Sequence, residues 1–336
     1  MTDVTPASTA LERQIASQPD ELARLLEQAI PHQTIEGIRQ AHRIWLVGTG
    51  TSQHAAELGA MMLHEAGRAA QAMSSMHFVN WAPPIDPHDA VILISHNAGT
   101  ETAYAGSAWS IALHAGMALV PITRRGGEMP GAIQTVAKET SHTYTVSYTA
   151  VLLLLARLAQ EIGAEALEPG VLGRIPDAVR DAIANPASDA ISPPTRLLVL
   201  SGEGPASVTA REGALKVREA SRFPAEGYDV EYLLHGQAVP LSADDRLVVL
   251  TPPDTDGLVS AVAAAAEAEG VPVTRLHEPS GLPPLLAQIP LVVRLQLLAL
   301  DFARRRGFDP DVAIERSWAD ERLWAIGSPE ATRGQT

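Results

Sequence analysis

An α/β protein made of two similar, doubly wound, mainly parallel sheets flanked by helices is the fold class this sequence predicts, and three observations predict it. Short apolar runs repeatedly break into Gly/Ser/Thr loops and then into helical periodicity, the pattern of strand, loop and helix in a parallel sheet. The same programme recurs in the second half, which points to an internal duplication. The length of 336 residues suits two units of about 150 residues each.

The elements follow in order. Residues 11–30 space their apolar side chains by three and four with Glu and Arg between them, which predicts an amphipathic helix ended by Pro31. Residues 43–48 are an apolar run that breaks at Gly48-Thr49-Gly50-Thr51-Ser52, and helical spacing resumes over 53–66. A second run, 90–95, leads into the loop 96–100, a helix to about residue 114 and a strand over 118–123. Later, 196–200 breaks at Ser201-Gly202-Glu203-Gly204-Pro205 and a helix runs through Glu219, followed by a strand at 245–251, a helix to 269 and a strand at 271–274. Residues 151–162 and 291–306 are apolar on enough sides to be buried packing helices. The Pro-rich stretches 168–176 and 185–194 mark an interdomain linker. The expected division is a helical segment 1–32, a domain 33–166, a linker 167–193, a domain 194–325 and a tail 326–336.

Composition narrows the function. With 46% hydrophobic and 19% charged residues, the chain has the make-up of a soluble globular protein, and no apolar run approaches the roughly 20 residues of a membrane span. The first residues lack a basic start and an apolar stretch, so no signal peptide is expected and the location expected is cytoplasmic. Zero cysteines exclude disulfides, thiolate metal sites and a thiol nucleophile. A net charge of -14 and 4% aromatic residues argue against a nucleic-acid surface, so an anionic small ligand needs a local device. His54, Glu57, Met61 and His64 share a helical stripe, read as helix surface and core rather than as metal ligands.

Two loops offer that device. Gly48-Thr49-Gly50-Thr51-Ser52 sits between strand and helix, where backbone N–H groups and the helix N-terminus favour an anion and Thr51 and Ser52 add hydroxyls. It has neither the closing Gly-Lys-Ser/Thr of a Walker loop nor the third glycine of a dinucleotide loop. Ser95-His96-Asn97-Ala98-Gly99-Thr100 repeats the arrangement. Gly-Thr-Ser after the first strand and Ser-x-Ser-Gly-x-Thr after a later one resemble the phosphosugar loops of SIS (sugar isomerase) domains, with Asn97 and Ala98 in place of Ser and Gly and His96 where relatives often have Gln. The resemblance covers roughly residues 35–320 and implies two tandem SIS domains that bind a phosphorylated sugar or aminosugar through Thr51, Ser52, Ser95, His96, Asn97 and Thr100.

Glu212, Lys216 and Glu219 share one helix face by their spacing, a pattern that on its own describes a salt-bridged surface helix. The longer order Glu212-Gly-Ala-Leu-Lys216-x-x-Glu219, Ala225-Glu226-x-Tyr228, His235-Gly236 is similar to the isomerase half of glutamine:fructose-6-phosphate aminotransferases, and to phosphosugar deglycases. That resemblance implies proton transfer between C1 and C2 by Glu219, assistance to ring opening by His235, Lys216 beside the sugar, no cofactor and no metal. It also implies a homodimer in which His235 reaches the neighbouring subunit's site. Three positions depart from the pattern: Glu203 stands for Arg, Gln237 for Pro and Tyr232 for Glu. Counting on from Gly307-Phe308-Asp309-Pro310-Asp311, Trp318 falls where the synthases carry their Schiff-base Lys. Without a cysteine the chain has no thiol for glutamine hydrolysis. The activity expected is that of a phosphosugar isomerase or deglycase/deaminase, and the alternative is a phosphosugar-binding sensor without catalysis.

Overall fold

A computed structural model describes residues 8–81, 84–97, 103–188, 190–251 and 256–326. In the first half β1 (Ile44–Gly48), β2 (Ala70–Ser74), β3 (Ala90–Ile94), β4 (Ala118–Thr123) and β5 (Ile133–Gln134) form a parallel sheet ordered β2-β1-β3-β4-β5. In the second half β6 (Leu198–Gly202), β7 (Ala225–Asp229), β8 (Arg246–Thr251) and β9 (Val273–His277) form another, ordered β7-β6-β8-β9. The strand order reverses beside β1 and beside β6, and loops leaving such a point open a crevice at the carboxyl ends of the strands.

Alternation along the strands sets which side chains meet. Ile44 and Leu46 of β1, Ile92 and Ile94 of β3, Leu198 and Leu200 of β6, and Val248 and Leu250 of β8 all join one central apolar core. Their alternate neighbours Trp45, Val47, Val91 and Leu93 join a smaller core outside the first sheet, and Val199, Leu247 and Val249 one outside the second. Helices Thr51–Glu65, Val146–Glu161, Pro205–Ser221 and Pro284–Arg306 supply most of the packing between the two sheets. Pro284–Arg306 is long and apolar enough to span a membrane by length and composition, yet 83% of its most apolar 18 residues are buried inside the protein.

Helix Ala10–Leu26 begins where the Thr9 hydroxyl accepts from Glu12 N at 3.2 Å. It stops short of residue 30, and a separate helix, His32–Gln40, follows Pro31. Two helices, Pro169–Leu172 and Ile175–Ala184, form within residues 167–184, and Ile175, Val179 and Ala182 are buried in the central core. Strands β2 and β7 have no counterpart in the apolar runs of the sequence, because both lie at sheet edges and are built from residues such as Ala70-Gln71-Ala72 and Glu226-Gly227.

At Gly227 helix Pro205–Ser221 crosses β7 so closely that an added Cβ would lie 2.5 Å from Ala210 O and from Arg211 N and Cα. These are backbone atoms and cannot swing aside. Gly227→Ala is expected to lower unfolding stability by about 1–3 kcal/mol, read from the urea midpoint.

Candidate functional site

Where β1 and β3 end, a cavity of about 290 Å³ opens, at the small end of ligand-site volumes. Its walls include Thr49, Thr51 and Ser52 from the first loop, His96 from the second, His142 and Tyr144 from the segment before helix Val146–Glu161, Ser147 from the first turn of that helix, and Glu219 from the second half. Ile314 and Trp324 of the C-terminal segment complete it. The first loop turns tightly because Gly50 takes φ 57°, and Gly48 leaves space for Ser52, whose backbone C and O would lie 2.6 Å from an added Cβ. The turn sets Thr51 at the N-terminus of helix Thr51–Glu65, where backbone N–H groups and the helix dipole favour an anion.

Beneath the loop lies a buried ionic cluster. Glu212 has no exposed side-chain surface, and accepts from Thr51 Oγ1 at 3.1 Å and pairs with His54 Nδ1 at 2.7 Å. Lys216, also fully buried, lies 3.5 Å from Glu212 and hydrogen-bonds Glu219. Burial works against the charge of all three groups, but the ion pairs decide Glu212 and Lys216. Despite its burial, Glu212 lies below its usual range because Lys216 and His54 stabilise the carboxylate; Lys216 is raised, since the two carboxylates outweigh its burial. For Glu219 burial wins and raises it above the ordinary carboxylate value, with Lys216 pulling the other way. Glu219 keeps 24% of its side chain exposed, toward the cavity, so it is the member of the cluster that can meet a ligand and exchange a proton.

His96 presents the second loop to the cavity. Its Nε2 accepts from Glu139 N at 3.2 Å, which leaves the ring proton on Nδ1, a buried atom with no partner among the described residues. Burial, then the charges of Arg124 and Lys138, push the imidazole down to about 4, so it is a neutral donor at neutral pH. Tyr144 packs edge-on against it with ring centroids 5.2 Å apart. Glu139, buried, in turn accepts from Thr145 N at 3.0 Å and Ser147 N at 2.8 Å, which fixes the wall carrying Tyr144 and Ser147.

Of the residues expected from sequence, Thr51, Ser52, His96 and Glu219 line one cavity. Ser95 is buried at the end of β3 and donates its N–H to Ile122 O at 3.0 Å; Asn97 stands behind the wall, its Nδ2 donating to Tyr144 Oη at 3.4 Å. Thr100 lies outside the described residues. Lys216 sits one layer below Glu219. His235 is elsewhere: with Arg211, Tyr228, Asp229 and Tyr232 it lines a separate open cavity of about 690 Å³ beside β7. His54, in the stripe read as helix surface and core, reaches across to Glu212, and Glu57 of the same stripe pairs with Arg211. His142, Tyr144, Ile314 and Trp324 carried no motif that could have flagged them. Trp318 is 74% exposed, and its carbonyl accepts from Trp324 Nε1 at 2.7 Å.

Two outcomes are expected from this geometry. Lys216→Met leaves Glu212 buried without its cation and costs about 3–5 kcal/mol of stability by urea unfolding. The unfolded chain protonates His96 near 6.5 while the folded one resists to about 4, so this residue makes stability fall as pH drops through that window. Nitrogen-detected NMR should show the Nδ1–H tautomer persisting across the window, and His96→Gln should flatten the corresponding part of the stability profile.

Residues 37–157 match the family model of the SIS domain. Glutamine–fructose-6-phosphate aminotransferase (isomerizing) of Gloeobacter violaceus is 28% identical over 308 residues, which are 80% of this chain and 50% of that protein. The Pyrococcus horikoshii protein of the same name is 27% identical over 304 residues, again 80% and 50%. The chain thus spans about half the length of these curated relatives. Among solved structures, the C-terminal domain of the Francisella tularensis glucosamine-fructose-6-phosphate aminotransferase superposes with a TM-score of 0.78 at 19% identity, over 91% of this chain and 99% of that one. A tagatose-6-phosphate ketose/aldose isomerase from Escherichia coli gives 0.77 at 20%, over 94% and 100%. These likenesses establish the α/β fold with its helix-flanked parallel sheets, and residues 37–157 are similar to the SIS domain.

Proposed function

We propose that the chain is a phosphosugar isomerase or deglycase/deaminase acting on an amino- or ketosugar phosphate in the cytoplasm. The observation that carries this reading is the meeting of Thr51, Ser52 and His96 with the pKa-raised Glu219 in one small cavity. The phosphate rests on the backbone and hydroxyls of 49–52, beside the neutral His96 ring in the cavity wall. Glu219 takes the proton from one of the adjacent carbons C1 and C2 and returns it to the other while a second proton passes between their oxygens, or oxygen and nitrogen, so that the double bond moves through an enediol or enaminol; for an amino sugar, water then hydrolyses the resulting imine and the amine leaves. Lys216 holds the carboxylate in place between these steps. The relatives named above for fructose-6-phosphate amination and tagatose-6-phosphate isomerisation are in keeping with this chemistry.

The second half we read as a second SIS-type unit. Arg43 pairs with Asp89 before β1 and β3, and Arg196 pairs with Asp245 at the matching places before β6 and β8. Its own first loop carries Glu203 where the first unit carries hydroxyls, which disfavours an anion there. His235 acts on the site of a second copy. It lies in the turn after β7, flanked by exposed Tyr232, Leu234 and Val239, an apolar surface suited to a homodimer interface. Within a single chain His235 and Glu219 line different cavities, and that separation also supports a sensor that binds the sugar phosphate without turning it over.

Screening hexose phosphates, hexosamine phosphates and fructosamine phosphates distinguishes the readings. Turnover by the wild type, reduced about 10²–10⁴-fold in Glu219→Gln, supports the enzyme; saturable binding with no turnover of any of them supports the sensor. If His235 crosses subunits, mixing inactive Glu219→Gln with inactive His235→Ala after subunit exchange should restore up to about a quarter of wild-type activity, since half the dimers then carry one intact site.

A further inference from the structure

At the opposite end of the first sheet, where β1 and β3 begin, two histidines and an aspartate converge. We propose that His42, Asp86 and His88 form a surface site for a divalent first-row transition ion of the Zn²⁺ or Ni²⁺ kind. One donor atom from each residue lies within 4.8 Å of the others, and all three residues are exposed. The imidazoles stack, with centroids 5.1 Å apart and planes 17° from parallel. Backbone contacts hold them together: His42 N donates to His88 O at 2.9 Å, and His88 N donates to Asp86 Oδ1 at 2.8 Å. Asp86 Oδ1 also meets His88 Nδ1 at 2.7 Å, so the carboxylate and this ring nitrogen already stand side by side, and an ion would take the place of the proton they share.

The turn beneath is rigid. Asp89, with no exposed side-chain surface, accepts from Arg43 Nη2 at 2.8 Å, Trp45 Nε1 at 3.0 Å and Asp86 N at 3.2 Å. The same scaffold recurs in the second half, where Asp245 accepts from Ser242 N at 2.8 Å and pairs with Arg196. There the turn reads Ser242-Ala243-Asp244-Asp245, so the scaffold itself does not call for histidines. Two imidazoles and one carboxylate favour Zn²⁺, Ni²⁺ or Cu²⁺ over Mg²⁺ or Ca²⁺. A tetrahedral ion with bonds of about 2.05 Å spaces its donors about 3.4 Å apart, so exposed rings need close by only on the order of 1 Å, and water completes the shell. Since the strands end at the candidate cavity and begin here, an ion at this site joins the loop before β1 to the turn before β3 without touching substrate.

Calorimetric titration of the untagged, metal-stripped protein with ZnCl₂, NiCl₂ and MgCl₂ tests the site. The expected result is one Zn²⁺ or Ni²⁺ per chain, a rise in melting temperature with Zn²⁺, and affinity weakened at least about tenfold in His42→Ala and in His88→Ala. Absence of saturable binding, equal binding of Mg²⁺, or unchanged affinity in both variants would overturn it. Circular dichroism of the two variants verifies that each is folded, which their exposed positions favour.

Discussion

A lysine with no exposed surface holds the two halves of this protein in register. Lys216 stands between Glu212 and Glu219 on one helix of the second half, and Glu212 reaches Thr51 and His54 at the start of a helix of the first. Each ion in such a cluster loses several kcal/mol of hydration, which is recovered only while every partner is in place. The cluster therefore enforces one relative position of the two halves. In that position the carboxylate of Glu219 arrives at the loop that carries Thr51 and Ser52. Stability and site geometry thus rest on the same three side chains, and a change that relaxed one would disturb the other.

The cavity has chemically distinct sides. Toward the first sheet it offers hydroxyls, a helix N-terminus and a neutral imidazole, none of which adds a full positive charge. Toward the C-terminal segment it offers Ile314 and Trp324, and toward the second half a carboxylate held above its ordinary range. A ligand with an anionic end and an ionisable C–H beside a carbonyl or imine matches this division. Lys216 is buried beneath Glu219, and other cations of a chain of net charge -14 are engaged elsewhere, in pairs such as Arg211 with Glu57 and Arg294 with Glu278.

Much of the architecture was legible because central parallel strands are apolar on both faces. The runs around Trp45, Ile92, Val199 and Val248 show themselves without any structure. Edge strands such as Ala70–Ser74 bury little and carry no comparable pattern. Thr51, Ser52, His96 and Glu219 were marked by loop chemistry and motif spacing, and they share a cavity. The partnership of His54 with Glu212 was not legible, since those residues are 158 positions apart and only packing of the two helices joins them. Nor could spacing along the chain reveal that His235 opens onto a different cavity from Glu219.

The central core has a mechanical meaning. Side chains from both sheets and from helix Pro284–Arg306 interlock in one apolar body, and helix Pro205–Ser221 is pressed against β7 with no room for a methyl group at Gly227. A hinge between the halves would have to shear this packing and pull apart a buried lysine and its carboxylates. The frame is consequently stiff, and the rim of the cavity is where the C-terminal segment adds Ile314 and Trp324 to walls that the two halves hold fixed.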